Sequence, residues 1–581
     1  MNGRSGLFKF IVFILFLTVI LIQVLSVIQA DRLYERLNSL INRLSAEELF
    51  RQSSVKRPIA QKADDLPMEE YPGDEGDWLI WRLGAEPATL NPIVSKDIYA
   101  RWIAGDNIFE SLLIYDYDKV ELKPFLAKSY EISDDGLEIT FVLRDDIHFS
   151  DGVPITADDV LFTYNTIINP RVDAQNYANY FESIKEVIKV DERTIKFVFS
   201  EVYFKGLEIV GGIPIMPKHI YEFTDAGKFN ETRAEMVGSG PYLFESWELG
   251  RQIVLVRNEN YWGHKPKLKK IIIRIITNEI AALQALRAHQ VDMLIPTSEQ
   301  YTAMVDDEEF LEEFDAFSYW NPGVGYSYIG WNYDAPFFSE RDVRLAMTHL
   351  IDRQSIIDNI LGGLGQIVTG PFYIFSPQYN SDIEPWPYDP KKAKQLLDGA
   401  GWIDSDGDGT RDKNGVPFEF RFMIVSGSPV HERIARYLKD EMAKVGIEMV
   451  VDPYEWSVFQ ERLNQSDFDA VTLGWGGTIQ SDPYQIWHSS QIEGRGSNRI
   501  GFSNAEADEL IEKARRTLDA DERNQMYRRF HEILHEEQPY TFMRSRPSIR
   551  FIDRRFENVK IHKLGLNILE WYVPKDKQRY K

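Results

Sequence analysis

His531, Glu532 and His535 spell the pattern His-Glu-Ile-Leu-His. On a helix, histidines four residues apart share one face and could hold zinc, with Glu532 as a general base. The same stretch carries Met526, Phe530, Ile533 and Leu534, which make an ordinary apolar helix face, and no third ligand stands out. A zinc metallopeptidase is therefore the remote reading. Asp404, Asp406 and Asp408 alternate ahead of Gly409, with Asp412 in the ninth position of a calcium-loop pattern. The twelfth position is Gly415 rather than a bidentate glutamate, and flanking helices are not evident. That leaves a weak structural calcium site or an acidic surface hairpin. Gly474-Trp-Gly-Gly-Thr478 has a different chemistry: Trp475 offers a broad apolar surface, and Gly476 and Gly477 let a ligand approach the backbone. Arg433 could grip a ligand carboxylate with two parallel hydrogen bonds. Thr89, Leu90 and Asn91 follow a strand signal, at the kind of strand end where α/β sheets place ligands.

These groups must be positioned by 581 residues, enough for about four domains at about 150 residues each. The net charge of −24 argues against nucleic acid as a partner, which needs clustered Lys and Arg. With no cysteine, disulfides, thiolate metal sites and thiol nucleophiles are excluded. Residues 7–28 are almost unbroken apolar sequence with Arg4 and Lys9 at or near the start. Their length suits a bilayer-spanning, uncleaved signal-anchor better than a signal peptide, and it places everything after Ala30 outside the cytoplasm. Residues 31–76 read as a stalk: Leu33, Leu37, Leu40 and Leu44 make a helical stripe, and 62–77 is an acidic, flexible linker with Pro67, Pro72, Gly73 and Gly76.

Beyond the stalk, strand patterns at 78–83, 139–143, 194–199, 253–257, 270–276 and 418–425 alternate with helical stretches. Thr156-Ala-Asp-Asp159 predicts a capped helix start, and Pro390 after Asp389 predicts another. Alternating strands and helices imply an α/β chain.

Several short motifs recur in a telling order. Glu86-Pro-Ala-Thr-Leu-Asn-Pro92 is followed by Phe149-Ser-Asp-Gly152, Thr156-Ala-Asp-Asp-Val160, Gly238-Ser-Gly-Pro-Tyr242 and Asn258-Glu-Asn-Tyr-Trp262. Pro336-Phe-Phe338, Arg344-Leu-Ala346, Ile351-Asp-Arg353, Gly474-Trp475 and Asp482-Pro-Tyr484 come later. Over residues 78–575 the chain resembles the family 5 extracellular solute-binding proteins of ABC importers. The resemblance implies a type II (cluster C) periplasmic-binding-protein fold, with two lobes that close on a ligand. Lobe one would be 77–315, with an inserted subdomain at about 109–237, lobe two 316–545, and 546–581 a return to lobe one. It implies no catalysis. The partners would be a peptide, most simply an oligopeptide, and the membrane permease.

Trp331, Asn332 and Asp482 complete the candidate ligand-binding set with Thr89, Leu90, Asn91, Arg433, Trp475, Gly476, Gly477 and Thr478. In peptide-binding members an aspartate lies three residues after the tryptophan and pairs with the peptide's α-amino group. Here Thr478 stands there, and a hydroxyl cannot supply the charge. An oligopeptide held by its backbone fits that change, and an oligosaccharide stacked on aromatic faces is the alternative.

Overall fold

The computed structural model describes residues 61–62 and 71–580, apart from 96–97, 106, 175–176, 178–179, 233–235 and 494–495. These fall into two compact lobes. Residues 7–28 and the leucine stripe of the stalk lie outside the described residues.

Lobe one holds the described residues up to Gly323, the turn 515–520 and the chain from Ser548. Its main sheet has seven strands in the order Phe314–Tyr319, Ser548–Asp553, Met293–Leu294, Trp78–Leu83, Lys270–Ile275, Gln252–Arg257 and Tyr242–Glu248. The central strand Trp78–Leu83 runs parallel to its neighbours on both sides. It is buried almost throughout, as a strand covered on both faces must be. A second, antiparallel sheet orders Gln61–Lys62, Ala127–Ile132, Glu138–Leu143, Thr194–Phe199 and Ile184–Lys189. Here the predicted alternation is explicit: Ile139, Phe141 and Leu143 point inward, with Glu138, Thr140 and Val142 on the other face. Both sheets feed one continuous core, which joins Leu79 and Ile273 to Phe141 and Phe197.

The glycine motif near 240 is explained by the stem of the second sheet. A Cβ on Gly240 would lie 2.4 Å from the Asn107 carbonyl oxygen, and one on Gly238 2.0 Å from that of Ile108. The outgoing chain therefore presses backbone on backbone against the incoming one. Glu110 locks the stem by accepting hydrogen bonds from Tyr261 Oη (2.5 Å) and Trp262 Nε1 (2.8 Å), which accounts for the Asn258–Trp262 motif. Both predicted helix starts form. Thr156 and Asp159 make a reciprocal capping box for Ala157–Ile168, and Asp389 caps Pro390–Gly399 with Pro390 in the first turn.

Lobe two holds residues 324–514 and 521–547. Its six-stranded sheet orders Gln366–Ile367, Tyr540–Ser545, Tyr326–Trp331, Ala470–Trp475, Glu419–Val425 and Glu448–Tyr454. Side chains alternate between two cores, one on each face. Ile329, Trp331, Phe420 and Phe422 pack with the helices Arg341–His349 and Pro429–Ala443. Tyr326, Tyr328, Met423 and Tyr540 pack with Ala505–Arg516 and Ala520–Glu537.

Two expectations need correction. The lobe boundaries fall at 323/324 and 547/548 rather than at 315/316 and 545/546, because all of Phe314–Tyr319 pairs with Ser548–Asp553 inside the lobe-one sheet. The described part of the expected linker is not a free spacer. Gln61 and Lys62 pair with Tyr130 and Ser129, Glu75 pairs with the Arg257 guanidinium at 2.5 Å, and Asp77 is fully buried. Glu75 and Asp77 are thus partners of the buried arginines Arg257 and Arg555.

Candidate functional site

In lobe two the strands Glu419–Val425, Glu448–Tyr454 and Ala470–Trp475 run parallel, so their C-terminal ends emerge on one edge of the sheet. Open α/β sheets present their ligand sites there. Val425 and Tyr454 lie side by side, and the Ser426 amide closes the edge onto the Tyr454 carbonyl at 2.9 Å. From this edge the helix Pro429–Ala443 begins, capped by Ser428, whose side chain accepts from the His431 amide. His431 and half-buried Arg433 sit in its first turns. Burial holds the His431 imidazole below its ordinary pKa, and its Nδ1 has no hydrogen-bond partner among the described residues.

Trp475 ends its strand beside Tyr326. Its ring lies nearly parallel to that of Tyr328 (8°), which in turn stacks on Tyr540 at 3.8 Å. Trp475 Nε1 reaches Tyr540 Oη at 3.4 Å. The two tyrosines thus set the plane in which half-buried Trp475 stands. Gly476 and Gly477 follow, and the Thr478 hydroxyl is buried without a partner among the described residues. This edge can offer a flat apolar surface, a hydroxyl, a neutral imidazole and a guanidinium. It presents several kinds of polar contact but no arranged nucleophile and base.

Tyr328 and Tyr540 were not singled out from sequence, although the Tyr-Ser-Tyr alternation at 326–328 carries the signal. Gly325 was also missed. Its φ is +66°, and a Cβ would lie 1.9 Å from the Trp475 carbonyl oxygen. Gly325→Ala must therefore displace the Trp475 backbone. The expected cost is about 3 kcal/mol in urea unfolding of lobe two, and a loss under about 0.5 kcal/mol would refute the close approach.

The other candidates are placed elsewhere. Leu90 and Asn91 are fully buried in the lobe-one core: Asn91 donates to the Phe229 carbonyl at 3.2 Å and accepts from the Ile93 amide at 3.0 Å. The Thr89 hydroxyl donates to the Thr232 carbonyl and accepts from the Asn91 amide. These hydrogen bonds hold the segment after the first strand, with Leu90 and Asn91 fully buried and Thr89 half-buried. Trp331 is buried in lobe two with Nε1 on Thr541, and Asn332 closes a turn through the Phe468 carbonyl and the Asp334 amide. Asp482 accepts from the Tyr484 amide at 3.1 Å, ahead of the short helix Tyr484–Trp487.

Asp404, Asp406 and Asp408 do converge, with ligand-capable oxygens within 4.8 Å of one another, all exposed. Asp412 does not join them. Both its oxygens accept from Ser405, and the chain continues into the hairpin of Asp412–Lys413 with Val416–Pro417 instead of a helix. The zinc reading also fails. His531 is fully buried, its Nδ1 accepts from the Asn380 amide (3.1 Å), and its Nε2 lies 3.0 Å from Thr369 Oγ1. With Nδ1 accepting, the neutral ring carries its proton on Nε2, and no lone pair is left for a metal. His535 stacks flat on Trp386 at 5.0 Å, and Glu532 takes up Asn380 and Arg529.

Residues 121–496 match the family described as bacterial extracellular solute-binding proteins, family 5. The oligopeptide-binding protein AppA of Bacillus subtilis is 32% identical over 519 residues, covering 87% of this chain and 93% of that protein. Its structure in complex with a nonapeptide superposes with a TM-score of 0.74 at 30% identity, covering 87% of this chain and all of the other. NikZ of Campylobacter jejuni, solved with nickel and L-histidine, gives 0.71 at 27% identity, covering 85% of this chain and 99% of the other. The fold is therefore the two-lobed α/β periplasmic-binding-protein fold that the motifs implied, and the protein binds a solute and is not an enzyme. The chain belongs to the family 5 bacterial extracellular solute-binding proteins.

Proposed function

We propose that this protein is the extracytoplasmic receptor of an ABC importer for oligopeptides, which it delivers to the membrane permease. The observation that carries this reading is the glycine-flanked Trp475 at the strand-end edge, in a chain similar over most of its length to an oligopeptide-binding protein solved with a nonapeptide. A peptide of that length can be held by its backbone with little regard for side chains. Glycines at 476 and 477, which carry no side chain to hold a peptide off, suit that, and Trp475 supplies an apolar contact that tolerates many side chains. Arg433 is the cation for a ligand carboxylate. Thr478 replaces a charge with a hydroxyl, so recognition does not depend on a free α-amino group at this position. Residues 109–237 form an inserted subdomain, a reading supported by their antiparallel sheet, which takes only Gln61–Lys62 from outside them, and by the close-packed stem at Asn107–Ile108 and Gly238–Gly240. Residues 7–28 anchor the receptor in the membrane, a reading supported by their length and apolar character.

Native mass spectrometry of the protein purified without refolding tests the function. A set of co-purified peptides, N-terminally blocked species among them, is expected. A stoichiometric glycan would replace this reading with the oligosaccharide alternative. Trp475→Ala should weaken binding of those peptides by about 100-fold, with a modest loss of lobe-two stability from the contacts with Tyr328 and Tyr540, and retained affinity would remove Trp475 from the site.

A further inference from the structure

We propose that Glu455 holds a cationic side chain, lysine or arginine, of the bound peptide, so that the receptor favours basic oligopeptides. The inference rests on the oligopeptide reading above and adds the ligand's charge to it. Glu455 follows directly on the strand Glu448–Tyr454, at the strand-end edge that carries Trp475. Phe422 pairs with Ala470, and Val425 with Tyr454. Carried on past the strand ends, that register puts Gly474, Ser426 and Glu455 in one row. Neighbouring strands lie about 4.8 Å apart, so Glu455 stands about 10 Å from Gly474, a span an extended peptide covers in about three residues. A peptide that rests one side chain on Trp475 therefore brings another, about three residues along, to Glu455.

The carboxylate is not consumed by the fold. Glu455 opens the helix Trp456–Asn464, yet its side chain does not cap that helix. It accepts instead from the Ser426 hydroxyl at 3.2 Å, which belongs to the neighbouring strand end. The residue is exposed, and no cation pairs with it among the described residues. The acids around it are taken. Asp452 accepts from Tyr454 Oη at 2.9 Å, Asp467 and Asp469 flank Arg421 at 3.1 and 3.5 Å, and Glu448 pairs with Lys439 at 3.0 Å. The net charge of −24 draws cationic ligands toward the protein before they reach this edge. A purely structural Glu455 would not distinguish lysine from an uncharged side chain of similar length.

The probes are N-acetylated alanine–leucine hexapeptides with one lysine at each position in turn, and the same peptides with norleucine in place of lysine. A third set carries norleucine and a free α-amino group. All are titrated into the full-length protein at low salt. At the best lysine position, the ratio of lysine to norleucine affinity should be about fivefold higher in the unaltered protein than in Glu455→Gln. That advantage should shrink in high salt, and Glu455→Lys should favour the corresponding glutamate peptide. A ratio equal in both proteins at every lysine position would overturn the proposal and leave oligopeptide binding intact. So would a preference that Glu455→Gln lowers only for the free α-amino group. If none of the peptides binds, the oligopeptide reading falls and this inference falls with it.

Discussion

Replacing Arg555 by methionine is expected to destabilise lobe one by about 3–5 kcal/mol and leave lobe two unmoved. The guanidinium is almost completely buried and ion-pairs with Asp77 and, at 2.8 Å, with Asp292, both of them fully buried. It also donates to the Trp78 carbonyl at 2.8 Å. Asp292 ties in the Ile80 amide at 2.7 Å, and Asp77 accepts the amides of Trp78, Arg579 and Tyr580. The central strand of the main sheet, the chain that precedes it and the C-terminal tail thus meet on one cation. Burial already holds the Asp292 carboxyl above its ordinary pKa, against the pull of Arg555. Without Arg555, two carboxylates would share a dry site, with Arg579 3.6 Å from Asp292 as the remaining cation. Urea unfolding with amide exchange read separately for the two lobes measures the effect. Asp77→Asn in the Arg555→Met background should recover part of the loss, because it removes one orphaned charge. A loss under about 1 kcal/mol, or one shared equally by both lobes, would show that the network contributes little.

The two lobes should respond to acid with opposite signs between about pH 7 and pH 4.5. In lobe two, burial lowers the His531 pKa to about 3 and that of His535 to about 4, and His349 and His431 are lowered as well. A histidine depressed in the folded state contributes its full stability above the unfolded pKa of about 6.5 and loses it as the pH falls toward the folded value. Each such ring costs about 1.4 kcal/mol per pH unit in that window, so His531 alone removes about 3 kcal/mol over two units. In lobe one, burial raises the Glu110 pKa to about 7 despite the Tyr261 and Trp262 hydrogen bonds, and Glu570 and Asp118 raise that of His562. Groups raised in the folded state contribute fully below their unfolded pKa and lose that contribution as the pH rises through the folded one. Acidification from pH 7 therefore strengthens lobe one by about 3 kcal/mol through Glu110 while weakening lobe two. Below about pH 4.5 the carboxylates that pair with arginines begin to protonate and lobe one turns over. Urea unfolding at pH 4.8, 5.8 and 6.8, resolved by lobe, should show the crossing. Glu110→Gln should flatten the lobe-one slope and His531→Gln that of lobe two. Slopes of the same sign in both lobes would contradict these assignments.

Much of the architecture is set by short-range rules that can be read along the chain. Thr156-Ala-Asp-Asp159 and Asp389-Pro390 begin helices because their side chains satisfy amides within three residues. The 139–143 and 194–199 strands alternate because one face meets the core. The motif order that placed the chain in its family is local as well, and so is the glycine-flanked tryptophan at 475. What tertiary structure decided is where side chains with the same local credentials end up. His531 looks like a metal ligand until Thr369 and Asn380, more than 150 residues away in sequence, take both its nitrogens. Asn91 and Trp331 look available until Phe229 and Thr541 claim them. Asp412 turns from the calcium pattern because Ser405 offers it two donors. Trp475 keeps an accessible face because Tyr328 and Tyr540, from two other strands, support it from the side. Sequence alone thus determined the elements, their alternation and the family, since those depend on neighbours in the chain. The folded sheet determined which candidates meet solvent and which are consumed by the core, since a buried polar group must be satisfied by partners that chain distance does not predict.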